Sequence, residues 1–103
     1  MQVWKDKSLL SEYKPWSHYM GSIVQRNFSA ILSACWFLSM VRYGQDWQDL
    51  YTCDPHHFEG TEEEKQMVLG GEACLWSEYV DGTNFMSKLW YVLFICEFIY
   101  MLW

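Results

Sequence analysis

The segment Phe28-Ser29-Ala30-Ile31-Leu32-Ser33-Ala34-Cys35-Trp36-Phe37 constrains this chain more than any other. Nearly every position is apolar or small, so the segment lacks the alternation of a strand with one wet face. Such a run is expected for a strand buried on both faces of a parallel sheet. Parallel strands need long crossover connections, usually helical, and the flanking sequence must supply them.

Upstream, Met1-Gln2-Val3-Trp4 reads as the tail of a strand that begins before this chain does, bounded at once by Lys5-Asp6-Lys7. Pro15 breaks any helix through Ser8 to Arg26, and Ser17 is expected to cap a helix over His18 to Arg26, with Tyr19, Ile23 and Val24 at helical spacing. Downstream, Tyr43-Gly44-Gln45-Asp46 and Cys53-Asp54-Pro55 mark loops around a short helical stretch at Trp47 to Tyr51. Thr61-Glu62-Glu63-Glu64 has the spacing of a capping box, which predicts a helix from Glu62 to about Met67 with a solvated acidic face. Gly70-Gly71 is expected to stop that helix, and Glu72-Ala73-Cys74-Leu75-Trp76 to form a third buried strand ending in Ser77-Glu78-Tyr79. The order strand, helix, strand, helix, strand is that of parallel βαβ units, so the expected fold class is α/β. In a (β/α)8 barrel, functional residues sit where strands end. Here those ends carry Trp4, Trp36 with Phe37, and Trp76 with Glu78.

Length and charge narrow the function. A chain of 103 residues is one modest domain or a fragment of a larger one. Seven Lys and Arg against thirteen Asp and Glu give a net charge of -6, which leaves no basic footprint for a phosphate backbone and excludes nucleic acid as the expected partner. Seven Trp and seven Tyr supply flat surfaces that suit cores and sugar faces alike. Cys35, Cys53, Cys74 and Cys96 contain no C-x-x-C pair, so neither a metal site nor a dithiol redox motif is expected, and buried thiols are. The first residues show no apolar stretch of a secretory signal. Asn27-Phe28-Ser29 has the pattern of a glycosylation acceptor, but Phe28 opens the apolar run and is expected to be buried, which argues against its use.

Several segments together resemble the catalytic domain of glycoside hydrolase family 20, the β-N-acetylhexosaminidases. They are Gln2-Val3-Trp4, Ile31-Leu32-Ser33-Ala34-Cys35-Trp36-Phe37-Leu38, Tyr43-Gly44-Gln45-Asp46-Trp47, Phe58-Glu59-Gly60-Thr61, and Gly70-Gly71-Glu72-Ala73-Cys74-Leu75-Trp76-Ser77-Glu78-Tyr79-Val80-Asp81. The last is the most specific, because its Trp and Glu stand at fixed positions in a long match. The resemblance implies a fragment of a (β/α)8 TIM barrel, residues 1–90, holding about the sixth to eighth strands and not closed by itself, followed by a divergent apolar tail, 91–103. It implies hydrolysis of terminal N-acetylglucosamine or N-acetylgalactosamine from glycans or glycolipids, with the substrate's acetamido carbonyl as nucleophile and no cofactor. A lysosomal location and a dimeric parent enzyme are implied in the same way.

Residue by residue, the resemblance makes Trp4 one wall of an aromatic cage around the acetamido group, and places Trp76 under the apolar face of the sugar. Glu78 would accept bonds from the 4- and 6-hydroxyls, and Glu72 would be structural. The family's acid pair lies in a His-x-Gly-Gly-Asp-Glu motif that does not occur in these residues, so no catalytic residue is expected here. Phe37 stands where the family has a Tyr that bonds the acetamido oxygen, a loss of about 1.5 to 3 kcal/mol in the transition state. Ser39 stands where the family has Asn or Asp, Met40 follows it, and Cys35 replaces a Pro. These departures leave open a non-catalytic carbohydrate-binding protein. The tail Tyr91 to Trp103 is expected to come from an altered or truncated reading frame. It is too short for a membrane span, which needs about 20 residues, although a membrane-associated product remains an alternative.

Overall fold

A computed structural model describes residues 1–39 and 47–90. The chain divides into two compact units, Met1–Cys35 with Asp54–Glu72, and Trp36–Cys53 with Ala73–Trp103. The expectations for Tyr43 to Asp46, Met40, Cys96 and the tail lie outside the described residues.

The first unit is built on a three-stranded parallel sheet in the order β1 (Gln2–Val3), β2 (Ala30–Leu32), β3 (Val68–Gly71). Gln2 pairs with Ile31 and Val3 with Leu32 on one edge of β2, while Ala30 pairs with Val68 and Leu32 with Gly71 on the other. Val3, Ala30 and Leu32 are buried under helix α1 (Trp16–Val24), whose Met20 and Val24 are likewise enclosed. Chain order, parallel pairing and a helical crossover are as the sequence predicts. The sheet is open, as expected of three strands.

The boundaries differ, each for a local reason. The apolar run does not continue as one strand: β2 ends at Leu32, and Ala34–Trp36 forms a 3₁₀ turn. At the break, Ser33 donates to the Val3 carbonyl with both its N–H, at 2.9 Å, and its hydroxyl, at 3.2 Å, and the hydroxyl accepts from Gln2 Nε2 at 3.1 Å. The glycines expected to terminate a helix instead lie inside β3, and the strand expected over Glu72 to Trp76 is replaced by one that ends at Gly71. Gly70 sits at φ 137, beside a register shift at Ala30 and Ile31, and a residue without Cβ adopts that bulged backbone without strain. Glu72 follows directly. Its N–H donates to the Leu32 carbonyl at 2.8 Å and its carboxylate accepts from Gln2 Nε2 at 2.8 Å, the structural role expected for it.

Helix α1 begins before the expected His18, and Ser17 does not cap it: Pro15 holds the cap position with no side-chain bond. Asp6 supplies the acceptor from ten residues upstream, taking the Trp16 N–H on Oδ1 at 2.9 Å and the Ser8 N–H on Oδ2 at 3.0 Å. At the other end, the Asn27 N–H reaches the Val24 carbonyl at 2.9 Å and the Phe28 N–H reaches Ile23 at 3.3 Å, with Asn27 left-handed at φ 65. These are the bonds of a Schellman termination, for which Asn is the usual substitute for Gly. Phe28 therefore belongs to a turn, not to the strand, and at 54% exposed it corrects the expectation of burial. The capping box forms as predicted on α3 (Glu62–Lys65), which stops short of Met67.

In the second unit, α2 (Trp47–Thr52) falls where the sequence places a short helix, and residues 85–90 are helical. Leu38, Leu50 and Val80 are buried with Trp36, whose indole N–H donates to the Leu50 carbonyl at 3.0 Å. Among the described residues, no helix is long and apolar enough to cross a membrane. The expectation of thiols throughout is corrected: Cys35 and Cys53 are disulfide-bonded, and only Cys74 of the described cysteines is a thiol. Apolar neighbours suggest a buried thiol, but pairing depends on the approach of Cα atoms, which spacing in sequence does not give.

Burial pushes the Asp6 carboxyl up, but hydrogen bonds from the Ser8 side chain and from the backbone of Ser8, Trp16 and Lys7 outweigh it and hold the group below its usual range. The stability it contributes is thus complete above the unfolded carboxylate value and is lost as pH falls through the lower folded one. Asp6→Ala is expected to cost on the order of 1 to 3 kcal/mol at neutral pH in urea unfolding, with the gap from wild type closing below about pH 4. For the cysteines, iodoacetamide under denaturing, non-reducing conditions should label Cys74 and spare Cys35 and Cys53 until reductant is added; labelling of all three without reductant would refute the disulfide.

Candidate functional site

Ser39, which the resemblance sets among the substrate-binding residues, faces the protein. The residue is only 1% exposed, and its hydroxyl both donates to the Trp76 carbonyl at 3.0 Å and accepts from the Trp76 N–H. One side chain thus satisfies both backbone groups of Trp76. The contact extends a short parallel pairing: Phe37 bridges Cys74, the Cys74 N–H donates to Trp36 at 2.9 Å, and the Leu38 N–H donates to Cys74 at 2.8 Å. Where this backbone pairing runs out, the hydroxyl of Ser39 carries it one step further.

A second anchor lies just beyond. Asn84 Nδ2 donates to the Tyr79 carbonyl at 3.0 Å, and Asn84 Oδ1 accepts from the Asp81 N–H at 2.9 Å. The Asp81 carboxylate in turn accepts the Thr83 N–H at 2.8 Å together with the Thr83 hydroxyl, and these bonds hold its pKa below the usual value. The segment from Trp76 to Tyr79 is consequently fixed at both ends. Its side chains are free to act: Trp76 is 58% exposed, Tyr79 67%, and Glu78 is exposed with no hydrogen bond among the described residues. A flat ring and an unengaged carboxylate two residues apart offer one stacking surface and one acceptor of paired hydroxyl donors.

Trp4 lies in the first unit, just past the C-terminal end of β1. It is half-exposed and so is not the core tryptophan that its strand-end position could also suggest. Tyr13 meets its ring edge-on at 6.1 Å and 89°, and Lys5 Nζ stands 5.5 Å from the Trp4 ring and 5.3 Å from that of Tyr13. Both partners belong to the loop that Asp6 ties to α1. Phe37 is half-buried, whereas Trp36 is turned inward and removed from the rim, contrary to expectation.

Sequence reasoning missed Asp6, Tyr13 and Asn84. Only Asn84 leaves a legible trace, since Asp81-Gly82-Thr83-Asn84 has the reciprocal spacing of a helix cap. A cavity of about 610 Å³ between α1 and residues 56–59, lined by His18, His56 and His57 among others, contains none of the expected sugar-contacting residues. Among the described residues, no group of three or more His, Cys, Asp or Glu could hold a metal ion.

Removing the Ser39 hydroxyl leaves two backbone groups of Trp76 unsatisfied at a cost of about 1 to 3 kcal/mol. Ser39→Ala should therefore speed hydrogen exchange at the Trp76 amide by roughly tenfold or more, and Ser39→Thr should not. Equal exchange in Ser39→Ala and wild type would show that the contact does not hold Trp76.

The family model that matches this sequence is "Glycosyl hydrolase family 20, catalytic domain", over residues 2–96. The chain is 47% identical to the beta-hexosaminidase subunit beta of Rattus norvegicus over 90 residues, which is 87% of this chain and 16% of that protein. Identity is 47% to subunit alpha of Mus musculus, over 87% of this chain and 16% of the relative, and 43% to subunit beta of Homo sapiens, over 87% and 15%. The chain thus spans about one sixth of the length of the curated relatives it matches.

Proposed function

Since this chain belongs to glycosyl hydrolase family 20, we propose that it forms part of a β-N-acetylhexosaminidase that releases terminal N-acetylglucosamine or N-acetylgalactosamine from glycans and glycolipids. The observation that carries the proposal is the doubly anchored segment that presents Trp76 and Glu78. Trp76 stacks under the apolar face of the sugar, and Glu78 accepts the 4- and 6-hydroxyls. Their hold on the ring keeps the 2-acetamido group facing the anomeric carbon. Positioning of this kind replaces a bimolecular encounter and can supply several kcal/mol of the barrier.

In the proposed reaction the acetamido carbonyl oxygen bonds to the anomeric carbon as the glycosidic C–O bond breaks. The departing oxygen takes a proton from a Glu supplied outside these 103 residues, and water then opens the cyclic intermediate. Trp4 forms a wall beside the acetamido group, its ring braced by Tyr13 and Lys5. Phe37 supplies another ring without the hydroxyl that would bond the acetamido oxygen. Ser39 acts through Trp76 and not on the sugar. We assign β1, β2 and β3 to the sixth, seventh and eighth strands of the barrel. A lysosomal location and the pairing of two such subunits complete the proposal, the latter supported by relatives named as alpha and beta subunits.

One observation favours a second reading. Phe37 lacks the hydroxyl and that of Ser39 is spent on the backbone, so the same surface could bind N-acetylhexosamines without hydrolysing them.

The full-length enzyme decides between the two. With a chromogenic N-acetylglucosaminide, Trp76→Ala and Glu78→Gln should each lower kcat/KM by about 10- to 100-fold, and Phe37→Tyr should raise it by up to about tenfold. Retention on an N-acetylglucosamine matrix with no turnover would favour binding alone. Full activity of both Trp76→Ala and Glu78→Gln would defeat the proposal. The 103 residues by themselves should show no turnover.

A further inference from the structure

We propose that Asn27 is an N-glycosylation site that carries an oligosaccharide on its side-chain amide. Asn27-Phe28-Ser29 satisfies the acceptor pattern, in which the hydroxyl residue two positions on is read together with the amide. Such tripeptides arise often by chance, so the case rests on where the structure puts this one. The turn that ends α1 lifts all three residues out of the core: Asn27, Phe28 and Ser29 are exposed, Phe28 by 54%. Asn27 occupies the left-handed position at φ 65, with its own N–H and that of Phe28 bonded back to Val24 and Ile23. The backbone is thereby held as a tight reverse turn. Its side-chain amide makes no hydrogen bond among the described residues, so attachment there breaks none of them.

Two further observations agree. Cys35 and Cys53 are disulfide-bonded, which places the folding chain in an oxidising compartment, and asparagine-linked oligosaccharides are added to chains that take that route. Within the first unit, Asn27 precedes the N-terminal end of β2, whereas Trp4 follows the C-terminal end of the parallel β1. A glycan on Asn27 thus leaves the sheet at the end away from Trp4. The donor is an oligosaccharide linked through pyrophosphate to a polyprenol. A bond forms between Asn27 Nδ2 and the anomeric carbon of the donor's first sugar, the bond from that carbon to the pyrophosphate oxygen breaks, and one amide proton is lost. The pyrophosphate lipid departs, and no oxidant or reductant is consumed.

The inference does not depend on hydrolase activity, because it is read by mass. The full-length protein is secreted from eukaryotic cells, digested with trypsin, and treated with peptide N-glycosidase in heavy-oxygen water. The peptide that begins at Asn27 should appear as heavy-labelled Asp, and Ser29→Ala should lower the intact mass by one glycan while leaving Asn27 in place. Asn27→Gln should give the same loss. Recovery of that peptide with an unmodified amide, from protein in which Cys35 and Cys53 are oxidised, would overturn the assignment.

Discussion

The pairing of β2 on both edges is the interaction on which the first unit depends. Ala30 and Leu32 are buried and Ile31 is half-buried, so little water reaches the N–H and C=O groups of this strand and a parallel neighbour stands on each side. β1 and β3 fill those places, and α1 then closes one face over Leu32, Val24 and Met20. Gln2, in β1, bonds both Ser33 and Glu72, the residues just past the C-terminal ends of β2 and β3. That polar link joins all three parallel segments where backbone pairing is ending, and it lets an open sheet keep its register with only two to four residues per strand.

The second unit applies the same economy to an exposed segment. Ser39 satisfies both main-chain groups of Trp76, and Asn84 secures Tyr79, so rigidity comes from a few side-chain-to-backbone hydrogen bonds while the aromatic and acidic side chains stay outside. A surface divided in this way has its backbone ordered before any ligand arrives, so less entropy is lost on binding. Trp4 is braced by different means, through the edge of Tyr13 and the ammonium of Lys5, yet the outcome is also an oriented, half-exposed ring.

Membership of family 20 gives these features a shared reading. Cys35 and Cys53 are each disulfide-bonded, a covalent restraint on the unfolded chain.

Periodicity and composition were enough to predict the first two parallel strands, a helical crossover, the capping box at Thr61 and the short helix at Trp47, because each depends on residues within a turn or two of one another, whereas the third strand formed ahead of its expected place. The long match around Gly70 to Asp81 likewise carried the family. Failures fell where a distant partner decided the outcome. Asp6 caps a helix ten residues away, Ser33 and Gly70 move the strand ends, and Trp36 turns inward to reach the Leu50 carbonyl. Ser39 reads as a pocket residue until Trp76 is placed beside it. Sequence by itself determined the order of the elements, the first two of the pairing segments and the family, since hydrophobic pattern and motif are local properties of the chain. Tertiary structure alone decided which side chains face solvent and which are spent on the backbone, since a hydrogen bond is settled by what stands within about 3 Å, whatever the distance along the sequence.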